Sequence, residues 1–100
     1  MRRHGKKRAE EIVSKGLRVV GLDEGELGTA AKGDPRKALV ALALRRQTGM
    51  PNSWIAKRLQ MGVTAGMSRY VAGAAQRVES ERKTARQYRI MIQRGGASDR

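Results

Sequence analysis

The chain has 100 residues, 22 basic side chains against nine acidic ones, a net charge of +13, and no cysteine or phenylalanine. That length suits one domain with one modest core, and without cysteine there is neither a disulfide framework nor a thiolate metal site. One Trp and two Tyr are the only aromatics, so the core must come from Leu, Ile, Val, Met and Ala, which favours helices over sheets. The strong positive field points to a polyanionic partner, either nucleic acid or an anionic surface.

Residues 1–8 carry Arg2, Arg3, Lys6, Lys7 and Arg8 around Gly5. They are predicted as a disordered basic arm that lies along phosphates or enters a minor groove, or that merely solubilises the chain. No apolar stretch follows, so this is not a secretory signal. The longest apolar run, residues 38–44, is too short to cross a bilayer. The expected location is the cytoplasm, in association with the nucleoid.

Over residues 9–20, Ile12, Val13, Leu17 and Val20 recur at helical spacing, with Gly16 as a weak point and Gly21 fitting the position just past the end. Asp23 and Glu26 are spaced as a capping box, and Leu22 and Leu27 as a hydrophobic staple, for a second short helix kept short by Gly28 and Gly33. Asp34-Pro35 is a helix start, an N-cap carboxylate followed by proline at the first helical position. The residues that follow, 38–44, are apolar all the way round, so this helix is predicted to be the most buried. Arg45 and Arg46 suit its last turn, Gly49 its C-terminal end, and Met50-Pro51 forbids continuation.

A short helix over residues 53–60 follows, capped by Asn52 or Ser53. Ile55 and Leu59 face inward, Trp54 takes a core or hinge role beside them, and Ala56 is small where two helices cross closely. Gly62 is expected to adopt the left-handed conformation that ends it. Thr64 caps the next helix, whose inward positions are Met67, Tyr70 or Val71, and Ala74, and whose outward positions are Ala65, Gly66, Ser68 and Arg69. Val71, Ala74, Val78, Ala85, Tyr88 and Ile92 then follow alternating steps of three and four, broken only by Glu81 where an apolar residue is due. Two readings of that pattern stand: one long helix pairing with a second chain through a heptad-like seam, or a charged helix that packs on its own domain or frays beyond about Val78. Residues 94–100 read as a disordered tail. The predicted fold is thus all-α, about five helices including a helix-turn-helix and a long C-terminal helix. Its segments are an arm (1–8), a DNA-binding domain (9–78), a helical extension (79–93) and a tail (94–100).

No acidic residue occurs from position 35 to position 78, while Arg36, Lys37, Arg45, Arg46, Lys57, Arg58, Arg69 and Arg77 all do. A helical corner of one charge sign is the form of a helix-turn-helix that meets a polyanion. Candidates for base edges are Thr64, Ala65, Ser68 and Arg69, at the start of the recognition helix. Candidates for phosphates are Arg36, Lys37, Asn52, Ser53, Lys57 and Arg58. Gly66 would cost about 1 kcal/mol inside a helix, which suggests a close approach to a sugar-phosphate wall or a neighbouring helix. Catalysis is not expected. His4 is the sole histidine, so neither a two-histidine metal site nor a Ser-His pair can form. Tyr70 is assigned to packing, and neither metal nor cofactor is expected.

The stretch KGDPRKALVALALRRQTGMPNSWIAKRLQMG over residues 32–62 closely resembles the C-terminal DNA-binding region of REP-associated tyrosine transposases and transposase-like proteins. That region is itself similar to the helix-turn-helix of Trp repressor and the DNA-binding domain of the replication initiator DnaA. Lys32-Gly33-Asp34-Pro35-Arg36-Lys37, Trp54-Ile55-Ala56, Arg58-Leu59 and Met61-Gly62 carry the resemblance, which extends over about residues 9–77. It implies an all-helical module docking its last helix in double-stranded DNA. The family's catalytic domain, with its paired histidines and nucleophilic tyrosine, has no counterpart in these residues, and the recognition helix opening Thr64-Ala65-Gly66-Met67-Ser68-Arg69 is less bulky than the family's. The expectation is a stand-alone regulator or accessory factor. The alternatives are a structural RNA-binding protein without sequence reading, and an oligomerisation module with secondary DNA binding.

Overall fold

A computed structural model describes the backbone of residues 2–93 and the side chains of residues 5–93. Five α-helices make up this part of the chain: α1 (Arg2–Val20), α2 (Pro35–Gln47), α3 (Asn52–Arg58), α4 (Met67–Ser80) and α5 (Arg82–Ile92). Single 3-10 turns lie at Glu24–Glu26 and Thr64–Gly66, and no strand occurs among the described residues. The all-α class expected from the aliphatic composition is the one adopted. None of the described helices is long and apolar enough to cross a membrane.

Helix α2 is the axis of the core and touches each of the other four. Asp34 caps it by accepting the Arg36 backbone N–H at 2.8 Å, with Pro35 at the first helical position, as the dipeptide predicts. Residues 37–44 are all buried, so its apolar circumference is consumed on every side. At the other end Thr48, rather than Gly49, turns the chain out of the helix: its backbone is extended, and its hydroxyl donates to Leu44 O at 2.7 Å.

Helix α1 buries Ala9, Ile12, Val13 and Leu17 and crosses both α2 and α5. Gly16 is the crossing point, because a Cβ there would lie 3.0 Å from Val40 Cγ2 and 3.4 Å from Met91 Sδ. What reads as a weak point in the helix is a site of close helix approach. Gly21, at φ +73, ends α1. The Leu22 N–H bonds back to Leu17 O and that of Gly21 to Arg18 O, satisfying carbonyls that a helix end leaves orphaned. Leu22 and Leu27 are both buried, and the Asp23 N–H donates to the Glu26 carboxylate at 2.8 Å. The capping signal is therefore used, although the element it starts is only one 3-10 turn.

Two sequence expectations are overturned here. The arm over residues 1–8 is helical from Arg2, as the first two turns of α1. Arg8 reaches across the fold to donate to Ile92 O at 2.7 Å, and that contact supports a segment whose composition alone favours disorder. The long C-terminal helix is divided at Glu81, whose backbone is extended (φ −121, ψ 119). Helix α5 folds back onto α1, α2 and α4, and Thr84, Tyr88 and Met91 join the interior. The seam read as a partner-facing stripe is occupied within the chain, so residues 79–93 belong to the domain rather than extend it. The expected tail, residues 94–100, lies outside the described residues.

Candidate nucleic-acid interface

Helix α3, the turn over residues 59–66 and the start of α4 form the helix-turn-helix corner. Ile55 and Leu59 are fully buried and Ala56 nearly so, the inward set that the i, i+4 spacing predicts. Helix α3 spans Asn52–Arg58 with Pro51 as its N-cap, a residue or two earlier at each end than the sequence suggests. It closes on Gln60, not glycine, in the left-handed region at φ 54. The Met61 N–H bonds to Ala56 O and that of Gln60 to Lys57 O, a six-to-one and five-to-two pair that satisfies the last carbonyls. Gly62 is also left-handed, at φ +84, with the Lys32 stem laid against it: a Cβ there would sit 2.8 Å from Lys32 Cδ.

Beyond Gly62 the chain emerges into solvent. Val63, Thr64 and Ala65 are exposed, Met67 is buried, and Ser68 and Arg69 are exposed again. Val71 and Ala74 face inward with Met67. All four base-edge candidates thus stand on the outer surface of the 3-10 turn and the first turn of α4. Gly66 is the N-cap of α4, not an interior helical residue, so the expected cost of a glycine inside a helix does not arise. Its close neighbour is the Tyr70 ring, 3.3 Å from where a Cβ would be. The other edge of that ring lies against Gly33, where a Cβ would fall 2.5 Å from Tyr70 Cε1. Tyr70 is therefore wedged between the loop before α2 and the start of α4, and fixes one relative to the other.

The phosphate candidates divide. Ser53 and Lys57, one turn apart on α3, are exposed, and Asn52 is half-buried. Lys57 and Arg69 have no acidic partner among the described residues. Arg36 is exposed but pairs with Asp34 at 2.9 Å, which lowers the Asp34 carboxyl pKa chiefly through that hydrogen bond. Lys37 and Arg58 do not belong to a phosphate-binding surface. Lys37 has no exposed surface, and its ammonium donates to Leu27 O at 2.8 Å, Ala30 O at 3.1 Å and Gln60 O at 2.9 Å. Those are all the donors an ammonium has. Burial lowers its pKa, while the three carbonyls hold the charged form. Arg58 lies between two carboxylates, meeting Glu24 at 2.7 Å and Glu10 at 3.1 Å. The bonds to Glu24, then Glu10, raise its pKa, and Glu24 is lowered in return. Charge counted along the chain cannot detect this, because Glu10 is 48 positions from Arg58.

Of the basic arm, Lys6 and Lys7 are exposed while Arg8 is half-buried on α5; the side chains of Arg2, Arg3 and His4 lie outside the described residues. Trp54 is half-buried against the core, lining with Gly5, Lys6, Gly49, Met50 and Pro51 a cleft of ≈500 Å³ beside the corner. Groups of three or more His, Cys, Asp or Glu side chains arranged to hold a metal are absent among the described residues. Comparisons with family models, curated proteins and solved structures found no match. Val63, between Gly62 and Thr64, is an exposed aliphatic side chain that no helical periodicity in the sequence singles out.

Proposed function

We propose that the chain binds double-stranded DNA through this helix-turn-helix, with some reading of base sequence, and acts as a regulator or accessory factor related to transposase DNA-binding modules. One observation carries the reading: the turn into α4 over residues 63–68 is uncharged, exposed apart from Met67 and half-buried Gly66, and anchored by Tyr70, and it is flanked by the exposed cations Lys57 and Arg69, which have no acidic partner among the described residues. Thr64, Ala65 and Ser68 present small polar and methyl groups, and Arg69 a guanidinium able to pair with a guanine edge. Lys57 and Ser53 are the phosphate-contacting pair, with Asn52 and Arg36 as further contacts. Removing Lys37 and Arg58 from the set narrows the interface, because Lys37 spends its three donors on carbonyls and Arg58 is held by Glu10 and Glu24.

Fluorescence anisotropy with a random duplex, a duplex selected from a random pool and a structured RNA, each at two salt concentrations, tests the reading. The selected duplex is expected to bind more tightly than the other two, with all affinities falling as salt rises. Equal affinities with one common steep salt slope refute sequence reading and favour a structural RNA-binding role. Arg69→Ala should diminish the preference between duplexes, by about 1–3 kcal/mol if the contact is bidentate. Lys57→Ala should weaken all duplexes alike and reduce the salt slope by about one.

A further inference from the structure

Val63 is 75% exposed, while every other large apolar side chain among the described residues is buried or partly so, apart from Ile90 at 39%. Leaving an aliphatic side chain in water gives up the stabilisation that burial would supply. Its position makes that exposure meaningful. Val63 has an extended backbone (φ −78, ψ 151) and is the N-cap of the Thr64–Gly66 turn that leads into α4. It is held from both sides: Met61 is 1% exposed and Met67 fully buried, and Lys32 packs over Gly62. A valine side chain adds little freedom of its own, since β-branching restricts it to few rotamers. Residues 61–68 contain no charged side chain, yet the span around them from 35 to 78 contains no acid. The arrangement is an apolar knob on a rigid turn within a basic surface. Between two walls of phosphate, the apolar feature of a major groove is the C5-methyl of thymine.

Resting on the DNA-binding reading above, we propose that Val63 is a specificity residue, packing its methyl groups against the C5-methyl of a thymine beside the bases reached by Thr64 and Arg69. Uracil differs from thymine only by that methyl, so deoxyuridine isolates the contact. Each thymine of a selected duplex is replaced in turn by deoxyuridine, and affinities are measured for the wild-type chain, Val63→Ala and Val63→Thr at one salt concentration. At one thymine the wild type should lose roughly four- to tenfold in affinity, the amount expected for one buried methyl-sized contact. Val63→Ala should bind the parent duplex correspondingly less well and be indifferent to the same replacement; Val63→Thr, which keeps one methyl, should retain part of the discrimination. The melting temperatures of both variants should stay close to the wild type, since three-quarters of Val63 is exposed. Penalties that are the same in wild type and Val63→Ala at every thymine overturn the inference while leaving DNA binding in place. If no duplex is enriched from the pool, the DNA-binding reading fails, and this inference with it.

Discussion

Lys37→Met separates a structural ammonium from a DNA-binding one. The substitution keeps an unbranched stem of similar length in the same channel and deletes only the three donors, at 2.8, 3.1 and 2.9 Å from their carbonyls. Leu27 O lies in a buried setting, and leaving such an acceptor unpaired costs about 1–3 kcal/mol. Ala30 O and Gln60 O are part-buried and can recover water, so each adds about 0.5 kcal/mol at the low end of a net hydrogen bond. The thioether is easier to bury than an ammonium, which offsets part of the loss. A net destabilisation of about 2–3 kcal/mol follows, and for a domain of this size that lowers the melting temperature by roughly 10–20 °C. Thermal unfolding followed by circular dichroism measures it, with Lys57→Met, on an exposed residue, as the control expected within about 0.5 kcal/mol of wild type. The salt slope of duplex binding by folded Lys37→Met should be unchanged. A melting temperature equal to that of wild type, or a slope reduced by about one, would refute the assignment of Lys37 to the interior.

Gly33→Ala should destabilise by about 1–3 kcal/mol, because its Cβ would fall 2.5 Å from Tyr70 Cε1 and overpacking costs that much; combined with Tyr70→Ala, the added cost of the alanine should largely vanish in a double-mutant cycle. A chain ending at residue 80 loses Tyr88 and Met91 from the interior and should show no cooperative melting, whereas a dispensable extension would leave the transition intact. Acid should weaken the fold through Glu24 and Asp34, whose carboxyl pKa values are lowered from their ordinary 4.5 and 3.8 by hydrogen bonds from Arg58 and Arg36. A carboxyl depressed in the folded state contributes stability that is complete above its ordinary value and lost as pH falls through its folded one. Glu24→Gln combined with Asp34→Asn should therefore flatten the stability profile below about pH 4.5, as followed by denaturant titration across that range.

Much of the fold is legible because its signals are local. The Asp34-Pro35 start, the left-handed Gly21 and Gly62, the apolar circumference of α2 and the inward set Ile55, Leu59, Met67, Val71 and Ala74 each depend on neighbours within a few positions. Backbone dihedrals and helical periodicity set these, and both are properties of short segments. The division at Glu81 was not legible in the same way. The steps of three and four continue on either side of it, and what bends the chain is the burial α5 gains by returning to α1.

The candidate site divides along the same line. Thr64, Ala65, Ser68, Arg69, Ser53 and Lys57 are exposed where their helical phase places them. For a charged side chain, though, the sequence determined only that it is present; whether it meets solvent, a carboxylate or a carbonyl is a matter of what the fold brings within 3 Å. Lys37 and Arg58 each carry one positive charge in a run without acids, yet Lys37 holds carbonyls from residues 27, 30 and 60, and Arg58 holds Glu10 and Glu24. Hydrogen bonds and ion pairs act over a few ångströms with no regard for chain separation, so composition set the sign of the field and tertiary structure decided which cations are left to express it.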